Sequence, residues 1–402
     1  MIIYHLISLL VFAYICFNVF YILLFAIVGA FRKQPAYRDC PVKKKIAILI
    51  PAYKEDSVII ETARQAVSHH YPKDSFKVFV IADQLQEKTV RTLSQLPLHL
   101  IPVSFSKSTK ARSIKYALQQ IPDGYYDILM ILDADNIMGE GCLEKVNAAF
   151  QQGFSLVQLH RTAKNRNTPT AILDAASEEI NNHIFRQGHR ALGISSALIG
   201  SGMAFDYFAF KKLMLETDIE NNPGEDREIY LEMLKNGKVC EYIDNALVYD
   251  EKVQSGKVLE KQRTRWLSAQ LQYAVRFWLK EPFKTLSSNI HYIDYALQTL
   301  LLPRVMLLMS TLALLVLNIV TGFITGTGIF PGLILWAALF GGCVLGLLIS
   351  VYRHLSFREI TQALLSLPKT FYSFSKAFLK SRPDQQEFIH TPKDFSNARQ
   401  SS

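Results

Sequence analysis

Hydrophobic and polar positions fall into three successive regimes along this chain. The first is a charge-free apolar stretch within residues 1–31, long enough to cross a bilayer. In the second, apolar runs at 46–50, 78–81, 98–105, 128–132 and 155–159 alternate with segments of helical character at 57–70, 87–96, 110–120 and 141–152. Runs that are apolar throughout, rather than at every other residue, are strands covered on both faces. The repeated strand-helix order therefore predicts an α/β domain built on a parallel sheet. The third regime holds two further spans, 305–324 and 329–352, joined by the uncharged turn Thr325-Gly326-Thr327-Gly328. Beyond them Phe357, Ile360, Leu364, Leu367, Phe371, Phe374 and Phe378 recur at gaps of three and four. That stripe predicts an amphipathic helix lying on a membrane surface and kinked at Pro368; a coiled-coil seam suits the phenylalanines less well.

Charge orients these segments. Arg32, Lys33, Arg38, Lys43, Lys44 and Lys45 follow the first span against the single acid Asp39, and Arg304, Arg353 and Arg358 flank the hairpin. The expectation is an N-terminus outside and a cytoplasmic middle segment and tail. A cleaved signal peptide fits the first span poorly, because it lacks a basic start and a small-residue cleavage site. Five segments result: a transmembrane helix at 1–31, a cytosolic domain at 44–280, an interface segment at 281–304, a transmembrane hairpin at 305–352, and an amphipathic helix with a tail at 353–402.

The net charge of +9 lies mostly beside the spans, where it matches anionic headgroups and not nucleic acid. The five cysteines, Cys16, Cys40, Cys142, Cys240 and Cys343, show no paired spacing, so neither a disulfide framework nor a zinc site is expected.

The candidate chemistry sits where strands end, since ligands of open α/β sheets bind beyond the carboxyl ends of strands. The run 128–132 stops at Asp133-Ala134-Asp135, whose two carboxylates point the same way from an extended segment and can share one hard cation, Mg²⁺ or Mn²⁺. A plain turn is the competing reading. Pro51, Tyr53 and Glu55, and also Asp83, lie just past two other strands and should share the same crevice. Lys110 opens a helix, where a phosphate would offset its conflict with the dipole. Gly200-Ser201-Gly202 allows close backbone approach. Glu225 and Asp226 begin a helix, and Gln262, Arg265 and Trp266 occupy one face of another. His183 and His189 read as surface or packing histidines. No role follows from the sequence for the tail motif Phe388-Ile389-His390-Thr391-Pro392-Lys393.

In this order, Pro51-Ala52-Tyr53-Lys54-Glu55, Asp83, Asp133-Ala134-Asp135, Gly200-Ser201-Gly202, Glu225-Asp226 and Gln262-Arg263-Thr264-Arg265-Trp266 resemble the membrane-bound family 2 glycosyltransferases. That group includes the cellulose, chitin, hyaluronan and poly-N-acetylglucosamine synthases. The resemblance implies a GT-A-type, Rossmann-like catalytic domain with interfacial amphipathic helices, in a protein integral to a bacterial inner membrane. It implies Asp226 as catalytic base. It implies Pro51, Tyr53, Glu55, Asp83, Lys110, Asp133, Gln262 and Arg265 as binders of a UDP-sugar donor, and Asp133 with Asp135 as metal ligands. Gly200, Ser201, Gly202, Glu225 and Trp266 would line the acceptor site. Two departures stand out: Thr109-Lys110 replaces the usual Gly-Lys pair, and Asn222-Pro223-Gly224 precedes the acidic pair where Ser or Thr is commoner.

One base, no nucleophile, and a diphosphate leaving group imply inversion, giving a β-linkage from an α-linked donor. The acceptor is expected to be lipid-linked or a growing glycan. Three spans enclose a polar channel poorly, which favours a short product, or a synthase working with a second subunit or as a homo-oligomer. Trp266 favours processivity. A catalytically silent glycan- or nucleotide-binding subunit is the alternative from another class.

Overall fold

The computed structural model describes residues 2–38, 40–221 and 224–380; the tail motif around Phe388 and the departures at Asn222 and Pro223 lie outside them. Helix α1 (Ile2–Ala30) leads into eight strands: β1 (Ile46–Tyr53), β2 (Phe76–Asp83), β3 (His99–Val103), β4 (Ile128–Ile131), β5 (Ile137–Met138), β6 (Leu156–Ala163), β7 (Met203–Asp206) and β8 (Glu241–Asp250). They form one sheet in the order β3-β2-β1-β4-β7-β6-β8-β5. The strands β3, β2, β1 and β4 are mutually parallel, as the sequence pattern predicts. The rest is mixed. Strand β7 runs antiparallel to both β4 and β6, and β5 runs antiparallel to β8 at the edge. A wholly parallel sheet is thus corrected to an α/β sheet with an antiparallel strand at its centre.

Strand β1 shows why the sheet must be covered twice. Ile46, Ile48 and Ile50 enter one core with Ala63 of α2 (Ile59–Ser68) and Val146 of α5 (Cys142–Gln151). Ala47 and Leu49 enter the other with Ile114 of α4 (Lys110–Gln120) and Phe210 of α8 (Tyr207–Glu216). Each fully buried Ile or Leu contributes about 1.5–3 kcal/mol, so β1 anchors both layers. Polar α3 (Glu87–Leu93) packs against α2 and buries Thr89 and Leu93.

Helix α6 (Pro169–Asn181) passes through a π-helical turn, Asn182–Gly188, into the short α7 (His189–Ala191), and this unit docks α1. Gly188 lies so close to α1 that an added Cβ would stand 2.3 Å from the Phe25 carbonyl oxygen. His183 Nε2 bonds the Ala26 carbonyl at 2.8 Å, and the His189 ring stacks on Phe25 at 3.9 Å. Both histidines are therefore packing residues. Arg32, just past α1, pairs with Glu241 of β8, which also receives Arg190 at 2.9 Å.

The remaining helices are α9 (Glu225–Lys235), α10 (Gly256–Val275), α11 (Pro282–Leu286), α12 (Ile290–Gln298), α13 (Arg304–Thr325), α14 (Leu333–Val351) and α15 (Phe357–Lys380). Among the described residues, three helices, α1, α13 and α14, are long and apolar enough to cross a membrane. Gly342 and Gly346 let α14 approach α1 closely, since a Cβ on either would stand 3.2–3.3 Å from Val19 or Ile22. Helix α15 keeps Pro368 inside it. It packs against α10, α6 and α13, with Ile360, Leu364 and Leu367 of its stripe turned to a cavity among them.

Candidate active site

The cleft forms where β1, β2 and β4 end. Tyr53 closes β1 opposite Asp83, the last residue of β2. Lys54 then turns the chain at φ 56°, and its amide donates to the Asp83 carbonyl at 3.1 Å. Pro51 and Tyr53 are half-buried, and Glu55 begins the turn into α2 through its carbonyl, which accepts from Val58 and Ile59. The Asp83 side chain is buried, and neither of its carboxylate oxygens has a hydrogen-bond partner among the described residues. Burial raises its pKa; Ser108, near it but out of bonding geometry, and Lys54 oppose that only in part. A buried acceptor left unmet is expensive, which sets Asp83 apart from the other carboxylates of the cleft.

Beyond β4, Leu132 still bonds to Leu49 of β1, and the chain then folds into a turn in which the Asn136 side chain accepts from the Asp133 amide at 3.2 Å. Asp133 is partly open to the cleft. Asp135 lies beneath it, fully buried, with the Glu251 amide 3.2 Å from one carboxylate oxygen and the Asn136 side-chain amide 3.3 Å from the other. The same Asn136 amide reaches Asp250 at 3.3 Å.

Lys110 ties the parts together. Its helix is capped by Thr109, whose hydroxyl accepts from the Arg112 amide at 3.2 Å. Its ammonium donates to Asp133 and, at 2.6 Å, to the Gly200 carbonyl. Gly200 has φ +82°, and an added Cβ would meet Asp226 Oδ2 at 3.3 Å. Gly202, at φ +61°, donates to the Ile131 carbonyl at 2.9 Å and is boxed in by Val248 and Gln158. Gln158 in turn donates to the Ser201 and Gly202 carbonyls at 3.0 Å and accepts from Ile199. The glycine loop is thereby a rigid wall between Lys110 and Asp226.

Glu225 and Asp226 open α9 side by side. Burial, and then the neighbouring Asp226 charge, push the Glu225 carboxyl up to about 7, against the pull of Lys110 and Arg265. Arg265 thus faces the acidic pair from α10. Gln262 Oε1 is a second buried acceptor lacking a partner among the described residues. Trp266 is held differently: the Arg263 guanidinium lies 4.3 Å over its ring. Asp133, Lys110, Gly200, Glu225, Asp226 and Arg265 are therefore brought together, whereas Trp266 shares α10 with Arg265 and lies against Arg263.

Beneath the cleft lies an ionic network that the sequence reading missed. Arg161 of β6 donates to Glu178 at 2.8 Å and to Ser201 Oγ at 3.4 Å, and lies 3.8 Å from Asp250. Lys252 pairs with Asp250 at 2.9 Å, and Arg186 stands 3.6 Å from Glu178. Burial works against ionisation of Glu178, yet Arg161, Lys252 and Arg186 together hold its carboxyl down at about 2. The only signal in the sequence was the adjacent pair Glu178-Glu179 within an otherwise ordinary helix.

With this geometry established, comparison with known proteins is informative. The family described as "Glycosyltransferase like family 2" matches residues 43–269, more than half of the chain. The chain belongs to glycosyltransferase family 2. It is 25% identical over 314 residues to the probable glycosyltransferase YdaM of Bacillus subtilis, an alignment covering 74% of this chain and 71% of that protein. It is 24% identical over 239 residues to the beta-monoglucosyldiacylglycerol synthase of Trichormus variabilis, covering 58% of this chain and 50% of the relative. Among solved structures it resembles the mannosyltransferase PcManGT from Pyrobaculum calidifontis in complex with GDP-Man and Mn²⁺. The TM-score is 0.55 at 13% identity, over 92% of this chain and 96% of that one, which supports the GT-A-like fold. This family 2 chain is a glycosyltransferase whose sheet carries the cleft described above.

Proposed function

We propose that the chain transfers a sugar, with inversion, from a UDP-sugar to a lipid-linked or glycan acceptor at the cytoplasmic face of the membrane, forming a β-linkage. The observation that supports this reading is that Lys110 bonds both Asp133 and Gly200, and that Gly200 stands beside Asp226. The unmet acceptors of Asp83 and Gln262 support a donor site, because a nucleobase N–H and a ribose or sugar hydroxyl supply the missing donors.

The oxygen-only donor set at the end of β4 fits a hard divalent cation, with Asp133 on the cleft side and Asp135 below it. When bound, such an ion offsets the negative charge that grows on the departing diphosphate. Lys110 and Arg265 add fixed positive charge on either side of the same position. Asp226 takes the acceptor hydroxyl proton as the new bond from that oxygen to the anomeric carbon forms. The bond to the diphosphate oxygen breaks on the opposite face, and its electron pair leaves with the nucleoside diphosphate. Burial and the neighbouring Asp226 charge push the Glu225 carboxyl up to about 7, so Glu225 is the less suited of the two to act as base.

The outer faces of α1 and α13 carry exposed apolar side chains such as Leu10, Phe20, Val316 and Phe323, and Leu279, Phe283 and Ile290 between α10 and α13 are exposed as well. This supports an integral membrane protein that keeps its cleft close to the lipid. The lipid-acceptor version is favoured by the relative named as a glucosyldiacylglycerol synthase. The test is release of nucleoside diphosphate by the purified full chain with Mn²⁺, across UDP- and GDP-sugars, with and without lipid. Release from a UDP-sugar that is stimulated by lipid bears the reading out; no release from any donor rejects it in favour of a silent subunit.

A further inference from the structure

A second cluster of donor atoms lies outside the cleft, where the catalytic sheet meets the end of the helical hairpin. His160 comes from β6, Glu179 from α6, and His354 from the turn between α14 and α15. One donor atom of each lies within 4.8 Å of the other two. His160 and Glu179 are buried, whereas the His354 side chain is 33% exposed. The pairing of β6 with β8 shifts at this point: Leu159 opposes Ile243 but His160 opposes Leu247, which leaves Asp244, Asn245 and Ala246 of β8 unmatched. Such bulges re-aim side chains. The Asp244 carbonyl within this one stands 2.8 Å from His160 Nδ1.

A carbonyl can only accept, so His160 Nδ1 carries a proton and donates it to Asp244. A neutral ring then turns the lone pair of Nε2 towards Glu179 Oε2, 2.9 Å away. Two acceptors that close need a cation between them. A second proton on His160 supplies one, but it serves that pair alone, since His354 Nδ1 stands 3.7 Å from the same Glu179 oxygen, beyond hydrogen-bond reach. A metal ion serves all three. Ligand atoms of a tetrahedral ion with bonds of about 2.0–2.1 Å stand about 3.3 Å apart, and the observed 2.9 and 3.7 Å lie on either side of that spacing. Neighbouring groups orient the donors as outer partners of a metal site do. The Thr162 hydroxyl donates to Glu179 Oε1 at 2.7 Å, the Asn182 amide approaches Oε2 at 3.4 Å, and Arg166 donates to the His354 carbonyl at 2.9 Å.

We propose that His160, Glu179 and His354 bind one divalent transition-metal ion of the zinc class, which ties the end of the hairpin to the catalytic sheet. Two imidazole nitrogens and one carboxylate oxygen suit zinc, whereas Mg²⁺ and Ca²⁺ take oxygen ligands. Water completes the coordination from the exposed side of His354. No cysteine takes part, which is why cysteine spacing gives no sign of such a site. The trio shares no residue with Asp133 and Asp135, and metal binding here is independent of the transferase reading above.

The test strips the purified full chain in detergent with a chelator and titrates it with Zn²⁺ by calorimetry, in excess Mg²⁺ to compete at the oxygen-only pair. Zn²⁺ should bind with a Kd of about 1 μM or below, and His354→Ala should weaken that binding about a hundredfold. X-ray absorption at the zinc edge should report two histidine nitrogens in the wild type. Zn²⁺ should also raise the Tm of the wild type by a few degrees and leave that of His354→Ala unchanged. If the variant does not fold, the zinc-edge spectrum of the wild type decides alone. Unchanged Zn²⁺ affinity in a folded His354→Ala, or a zinc edge without imidazole scattering, overturns the proposal. So does a wild type that takes up no zinc, which leaves His160 and Glu179 as an imidazolium–carboxylate pair.

Discussion

Gly200 leaves the space beside Asp226 open: a Cβ built on the glycine would stand 3.3 Å from the aspartate Oδ2, in a backbone conformation, φ +82°, that side chains rarely adopt. The glycine is thus required twice, for the turn and for the space beside the proposed base. Gly200→Ala should lower kcat by about tenfold or more and cost about 1–3 kcal/mol of stability through backbone strain. Steady-state kinetics and thermal unfolding in detergent check both effects.

Asp226→Asn keeps the shape and removes the base. Turnover should fall by about 10²–10⁴-fold while donor affinity, measured by calorimetry, stays within about twofold. Retained turnover removes Asp226 from that role.

Asp83→Asn should act with opposite signs on stability and binding. The buried carboxylate has no bonding partner among the described residues, so easing its burial should raise Tm by a few degrees. Donor affinity should drop by about tenfold as the nucleobase contact is lost. A variant that is less stable and binds donor as tightly as before contradicts the proposed donor site.

Glu225 makes a pH prediction whose sign is fixed by its raised pKa. The folded chain holds this proton up to about pH 7, while an unfolded Glu releases it near about 4.3. Its contribution to stability is full below the unfolded value and disappears as pH rises through about 7. Tm of the wild type should therefore fall between about pH 5 and 8 relative to Glu225→Gln, whose profile should be flatter. Glu178, held down at about 2, works in the reverse direction: its contribution is present above its unfolded pKa and is lost as pH falls towards 2.

Gly188→Ala places a methyl where only 2.3 Å separates it from the Phe25 carbonyl oxygen. Helix α1 must shift outward, at a cost of about 1–3 kcal/mol. Limited proteolysis between α1 and β1, together with Tm, should show earlier release of the N-terminal helix from the catalytic domain.

Periodicity in the sequence was enough to place the strands up to β4, the helices between them and the three apolar spans, because a side chain's apolar character reports directly whether its face must be covered. The residues at strand ends could be nominated for the same reason, since a buried run that stops at Asp83 or Asp133 exposes that carboxylate at the rim of a sheet. What covers a face, and which strand pairs with which, depends on partners distant in the chain. No strand is expected from the sequence at Met203–Asp206, yet this segment becomes the antiparallel strand between β4 and β6, since only the assembled sheet has the gap it fills. His183 and His189 look polar in sequence but are packing residues against α1, and the stripe of α15 turns three of its residues to a cavity in the protein. The link from Lys110 through Gly200 to Asp226 spans more than a hundred residues and was decided by tertiary structure alone, because distances between groups so far apart in sequence exist only once both sheet faces are packed.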